Sequence, residues 1–358
     1  MPDPRDTNVI SFSAARSRRR ASTGGTRPRG SAAVQHAEAL PPSPAWPPGA
    51  PLLSLVESWE LALDSANKSK RTIRAYTDSV RALARWLDSR GYPTDAENVT
   101  AEHLRMFLRS EKERTSAASA GSHHRNLRVF WKWVITEGER THTASPMTNV
   151  EAVKSPKKAK SFFDDEQLAA LLKTCAGNSF EDRRDTAIMR IFIDTGVRVG
   201  GLVSIRYTPD NPETNGVDLK NRRLRVVLKG GDEHIIPLGK KAAQAVDRYL
   251  RARARHPKAA LSPFLFLGVR GRKPEYMTPS GVHSMIVRRG KQAGVPDAHP
   301  HRFRRTFADD YLENGGTLDG VMAVAGWKSL DMVREYAGDR AMERARQMHD
   351  RLSPGDRI

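Results

Sequence analysis

The segment Thr195-Gly196-Val197-Arg198-Val199-Gly200-Gly201-Leu202 decides how the rest of the chain is read. Helical texture covers Glu181 to Thr195 before it and resumes over Gly200 to Ile205. Gly196 supplies the backbone freedom that the break between two helices needs. Arg198, two residues on, has no apolar stripe to join and no evident packing role. A single arginine is most often a surface charge, so its meaning depends on what stands around it.

Downstream, Arg223-Leu224-Arg225-Val226-Val227-Leu228 and Glu233-His234-Ile235-Ile236-Pro237-Leu238 flank Lys229-Gly230-Gly231-Asp232. β-Branched runs on either side of a Gly-Gly-Asp turn predict a hairpin with Lys229 at its top. Further helical patterns run over Asp165 to Cys175 and from Lys240, Pro279, His301, Thr317, Ser329 and Ala341, with Thr278 as N-cap before Pro279. His301 and Arg304 stand one helical turn apart and share a face. Trp327 follows Gly326, and Tyr336 lies nine residues later. His299-Pro300-His301 has no third ligand in view, so a metal site is not supported.

Upstream, Ile73, Tyr76, Val80, Leu83 and Leu87 repeat at spacings of three and four, as do Leu127, Phe130, Trp131 and Val134. These predict amphipathic helices, with another over Glu102 to Glu111 capped by Thr100. Lys70, Arg71 and Arg74 on the first, and His123, Arg125 and Arg128 on the last, fall off the apolar face and are candidate DNA contacts. Their alternative role is to solvate the surface. Four blocks follow: a Pro/Gly-rich basic tail over 1–50 that cannot bury enough apolar surface to fold, a helical DNA-binding domain over 51–145, a basic linker over 146–161 and a second domain over 162–358. Lys157, Lys158 and Lys160 in the linker are further candidate phosphate contacts.

Composition agrees with a polyanion as partner. The 358 residues carry 60 Lys+Arg against 41 Asp+Glu, a net charge of +19, and 38% hydrophobic residues. The chain shows no apolar run long enough to span a membrane and no apolar leader at its start, so a cytoplasmic location is expected. Its one cysteine, Cys175, excludes an internal disulfide framework.

In this order and at these spacings, the motifs resemble the tyrosine recombinases, the phage integrase and Xer group. The family's Thr-Gly-x-Arg-x-x-Glu-Leu box is similar to Thr195 to Leu202, and its hairpin lysine to Lys229 ahead of Ile236-Pro237-Leu238. Its His-x-Leu-Arg-His-Thr-Phe-Ala box is similar to His301 to Ala308, and its closing Gly-His/Trp with a tyrosine nine on to Gly326-Trp327 and Tyr336. The resemblance implies a mainly α fold: a SAM-like helical core-binding domain, then a mixed α catalytic domain with a small antiparallel sheet, the DNA breaking-rejoining enzyme fold. It implies a site-specific recombinase of a mobile element or chromosome, with Tyr336 as nucleophile, Arg198 and Arg304 on the phosphate, Lys229 as general acid, and His301 and Trp327 assisting. No cofactor or metal is implied. The implied partners are double-stranded DNA with inverted-repeat core sites, a homotetramer on that DNA, and an accessory DNA-bending or directionality factor. Three residues depart from the pattern: Gly201 replaces an acidic residue, Arg305 the second histidine, and Trp327 the commoner histidine. The alternatives are a type IB topoisomerase, which reseals without exchange, and a DNA-binding protein without catalysis.

Overall fold

The computed structural model describes residues 49–155, 161–227, 231–268, 275–327 and 329–358. The chain forms two compact units that divide between Pro156 and Lys157. Most of the predicted tail, and Lys157, Lys158, Lys160 and Lys229, lie outside the described residues.

The first unit contains α1 (Leu52–Ser65), α2 (Lys70–Asp88), α3 (Ala101–Arg114) and α4 (Ala117–Thr136). Local chemistry sets their starts. Ser69 and Ser116 accept the backbone N–H groups of Thr72 and Ser119 at 3.1 Å each. Thr100 accepts from His103 N, and Thr100 N donates to His103 Nδ1, both at 3.3 Å. That is a reciprocal cap with histidine in the usual place of glutamate. The apolar stripes read from the sequence meet in the core: Val80, Leu83 and Leu87 on α2 face Leu127, Phe130, Trp131 and Val134 on α4, all fully buried. Trp59 of α1 stacks on Tyr76 at 5.7 Å and meets Phe130 edge-on at 5.0 Å.

This core reaches beyond residue 145. Met147 and Val150, within the stretch predicted as linker, are buried in it. The reason is polar as well as apolar, because buried His124 needs a partner and its Nε2 meets the Val150 carbonyl at 2.9 Å.

The second unit runs α5 (Asp165–Lys173), α6 (Phe180–Thr195), α7 (Val199–Ser204), β1 (Val217–Asp218), β2 (Arg223–Val227), β3 (Glu233–Pro237), α8 (Lys240–Ala254), α9 (Pro279–Gln292), α10 (Pro300–Glu313), α11 (Leu318–Ala325), α12 (Leu330–Ala337) and α13 (Ala341–Leu352). The strands form one antiparallel sheet in the order β1-β2-β3, with Leu224 paired to Val217 and Ile236. Alternation sends Leu224 and Val226 inward and Arg223 and Val227 outward. Ala187, Ile188, Ile191 and Phe192 make α6 the axis of the main core, and Phe192 stacks on Phe303 of α10 at 5.8 Å. A smaller cluster of Phe307, Ala308, Val321, Ala325, Trp327 and Val333 joins α10 to α11 and α12. Among the described residues, no helix is long and apolar enough to cross a membrane.

Candidate active site

The site begins at the end of α6. Gly196 stops that helix in the left-handed conformation, φ 55°. A Cβ there would stand 2.5 Å from Cδ1 of Phe307, so the position needs glycine for both conformation and space. The chain then extends through Arg198, the N-cap residue of α7. The half-buried Arg198 guanidinium reaches the Gly326 carbonyl through a long contact of 3.4 Å and lies 3.8 Å from Met332 Sδ on α12.

Arg304 projects from α10 and is 1% exposed. Its Nη1 donates to the Gly196 carbonyl and its Nη2 to the Ala325 carbonyl at 3.1 Å. Its Cζ lies 4.6 Å from the centre of the Trp327 ring, so the indole braces the guanidinium. Gly326, the second glycine the site depends on, ends α11 at φ 64° and turns the chain so that Trp327 drops into the small cluster. Arg198, Arg304, Trp327 and α12 therefore converge on one turn. Tyr336 lies on α12, one helical turn beyond Met332.

His301 is exposed in the first turn of α10, and half-buried Arg305 follows one turn later. The helix is capped by His299, whose Nδ1 accepts from Arg302 N at 3.2 Å. Burial, reinforced by the positive charges of Arg305, His301, His283 and Arg302, holds the His299 imidazole below the ordinary histidine range. It is thus neutral near pH 7, as an acceptor Nδ1 requires. Gly201 is buried, and a Cβ there would stand 3.3 Å from Val197 Cγ2 and 3.6 Å from Val226 Cβ. An acidic side chain would have to enter that apolar contact. Among the described residues, Arg198 forms no ion pair, and its guanidinium meets only the Gly326 carbonyl and the Met332 thioether.

In the first unit, Lys70, Arg71 and Arg74 are exposed on α2, and Arg125 and Arg128 on α4. Asn126 donates to Ala75 O at 3.0 Å and Ser79 Oγ at 2.9 Å, so the two basic stretches flank one helix junction. His123 does not share that surface. Its side chain is 18% exposed, lies 3.5 Å from Glu111 Oε2 and packs edge-on against Phe107. Burial lowers its pKa, so it is a neutral core histidine rather than a cation facing solvent. Met332 and Asp309, a buried carboxylate on α10, were not singled out in the sequence, and neither was the capping role of His299 or the packing of Phe307 against Gly196.

A model of the phage integrase family matches residues 161–343, and one of the phage integrase N-terminal SAM-like domain matches residues 55–138. The chain belongs to the phage integrase family. It is a tyrosine recombinase, an enzyme of site-specific DNA strand breakage and religation. Tyrosine recombinase XerC of Ralstonia pickettii (strain 12J) is 29% identical over 278 residues, covering 75% of this chain and 84% of that protein. XerC of Pelobacter propionicus is 27% identical over 317 residues, covering 85% and 96%. Among solved structures, a lambda integrase dimer bound to a COC' core site matches with TM-score 0.64 at 20% identity, covering 82% of this chain and 79% of that one. XerH recombinase bound to palindromic difH in a post-cleavage complex matches with TM-score 0.62 at 16% identity, covering 85% of each. These likenesses show the same fold.

Proposed function

We propose that this recombinase cuts double-stranded DNA at paired inverted-repeat sites through a phosphotyrosyl link at Tyr336. The observation that carries the reading is the convergence of Arg198 and Arg304 on the Gly326 turn, beside the helix that bears Tyr336. The Tyr336 hydroxyl attacks phosphorus, the bond to the 5′ oxygen breaks, and a 3′-phosphotyrosyl ester and a 5′ hydroxyl result. Two guanidiniums present planar forks of donors to the non-bridging oxygens, where charge grows in the transition state. Removing one such donor costs on the order of 10²–10³-fold in rate. His301 takes part in the proton transfer from the phenol, and Lys229 protonates the leaving oxygen. The Trp327 ring keeps the Arg304 plane fixed. Religation by a new 5′ hydroxyl reverses the step and conserves the bond energy, so no nucleotide is consumed.

The exposed cations of α2 and α4 suit the phosphate backbone of one side of a duplex, which they position without reading its sequence. Lambda integrase, solved as a dimer on a COC' core site and as a tetramer on a Holliday junction, supports the same assembly of this chain on its DNA. The test is covalent trapping. Protein is incubated with fragmented host DNA and denatured in detergent, and the protein-linked ends are sequenced, with Tyr336→Phe alongside. Linked ends that share one pair of inverted repeats, seen with wild type alone, are the expected result. Links at scattered sequences would instead identify a topoisomerase-like enzyme.

A further inference from the structure

The helix that bears Tyr336 is tied at both ends to the elements around it. At its start, Val333 is 1% exposed in the small cluster, and Met332 touches Arg198. At its end, the chain turns through Gly338–Arg340 into α13. None of the residues of α13 is buried, and Met342 and Leu352 are 83% and 61% exposed, so apolar packing does not hold this segment. A carboxylate does. Asp309 of α10 is 3% exposed, its Oδ2 accepts from Arg340 Nη1 at 3.1 Å, and its Oδ1 accepts from Arg344 Nη1. Arg340 also lies 4.8 Å from the centre of the Phe162 ring.

An ion cluster around one buried carboxylate, with Arg340 half exposed, is a poor source of stability, because desolvation of the carboxylate offsets most of the attraction. Here burial raises the Asp309 carboxyl above the ordinary range even though Arg344 and Arg340 pull it down. What the cluster supplies is position. Arg340 is one helical turn past Tyr336, and Asp309 sits on the same helix as Arg304 and His301.

We propose that Asp309 is a positioning residue for the cleavage step, holding the end of α12 through Arg340 and Arg344 so that Tyr336 meets the phosphate in its own chain. This rests on Tyr336 being the nucleophile. Loss of the tie lets the reacting atom wander, and a misplacement near 1 Å lowers a rate on the order of 10²-fold.

The full-length protein is tested on a nicked duplex carrying the site recovered by trapping, with single-turnover formation of the covalent complex as the readout. Asp309→Asn is expected to bind this DNA as wild type does and to form the complex on the order of 10²-fold more slowly. The pair Arg340→Ala/Arg344→Ala is expected to show the same loss, with no further loss when combined with Asp309→Asn. Mixing Asp309→Asn with Tyr336→Phe protein is expected to restore nothing, because socket and tyrosine belong to one chain. An unchanged rate overturns the proposal. So does recovery in the mixture, which would mean that the socket receives a neighbour's helix. A fall in binding, cleavage and melting temperature together in every variant overturns it too, as a mark of a structural ion pair. Failure of wild type to link through Tyr336 would instead remove the reading on which the proposal rests.

Discussion

The second unit holds two apolar clusters that differ greatly in extent. The main core runs from α5 to α10 through the sheet and closes around buried Asp185, which pairs with Arg184 and Arg289 at 2.8 Å each. Among the described residues, the small cluster buries Phe307, Ala308, Val321, Ala325, Trp327 and Val333, with Tyr311, Leu312 and Met332 among those packed against them. Apolar burial stabilises by about 25 cal/mol per Å², so the small cluster contributes little by itself. The polar joints from Arg304 to Gly196 and Ala325 bind it to the rest. An extensive core thus carries a small cradle held largely by polar joints, and substitutions in the two regions should separate chemistry from stability.

The sharpest separation lies between the two arginines. Arg198→Ala is expected to lower single-turnover cleavage on the order of 10³-fold and to leave the melting curve where it was, since its contacts are long and half exposed. Arg304→Ala should match that loss of rate and also destabilise the second unit by about 1–3 kcal/mol, because two buried carbonyls lose their donors. Equal melting curves for the two variants would break the distinction. Asp185→Asn should show the opposite pattern. It leaves arginines uncompensated in the main core and costs about 3–5 kcal/mol, while the fraction still folded cleaves at the wild-type rate. Denaturant titration beside single-turnover kinetics checks both halves.

Gly196 joins the two regions, so Gly196→Ala should damage both. The left-handed backbone alone costs about 1–2 kcal/mol, and the Phe307 contact adds to it. A variant that melts as wild type would show that α10 shifts freely, contrary to the account. The smallest effect concerns His299. Its pKa is lowered in the folded state, so the unfolded chain binds the proton more readily, and stability falls as pH drops below the ordinary histidine range. His299→Ser keeps a cap on α10 and should flatten that part of a pH–stability profile. A slope unchanged from wild type would assign it to another group.

How much of this was legible in the sequence follows from the range of each interaction. The stripes of α2 and α4 and the hairpin strands are set by neighbours two to four residues apart, and all are where periodicity put them. The motif residues could be named from the sequence because chemistry fixes their types and spacings, and among them Arg198, Arg304 and Trp327 meet at the Gly326 turn. Strand β1 was missed because two residues, Val217 and Asp218, carry no period. Met147 and Val150 were masked by the prolines on either side of them. His123 and Asp309 share a cause. Their burial depends on partners on other elements, Glu111 in one case and Arg340 and Arg344 in the other, and local pattern holds no trace of such pairs. The vacancy left by the family's acid at Gly201 was legible. That Val197 and Val226 close around it was not.

The most direct test of the central claim is to identify the residue that becomes attached to DNA. Wild-type protein trapped on its recovered site would be digested with protease and nuclease, and the peptide carrying the residual nucleotide sequenced by mass spectrometry. The account predicts a phosphodiester on Tyr336 in the peptide from α12, joined to a 3′ end, and no adduct from Tyr336→Phe. An adduct on any other residue, or an undiminished one from Tyr336→Phe, would contradict it.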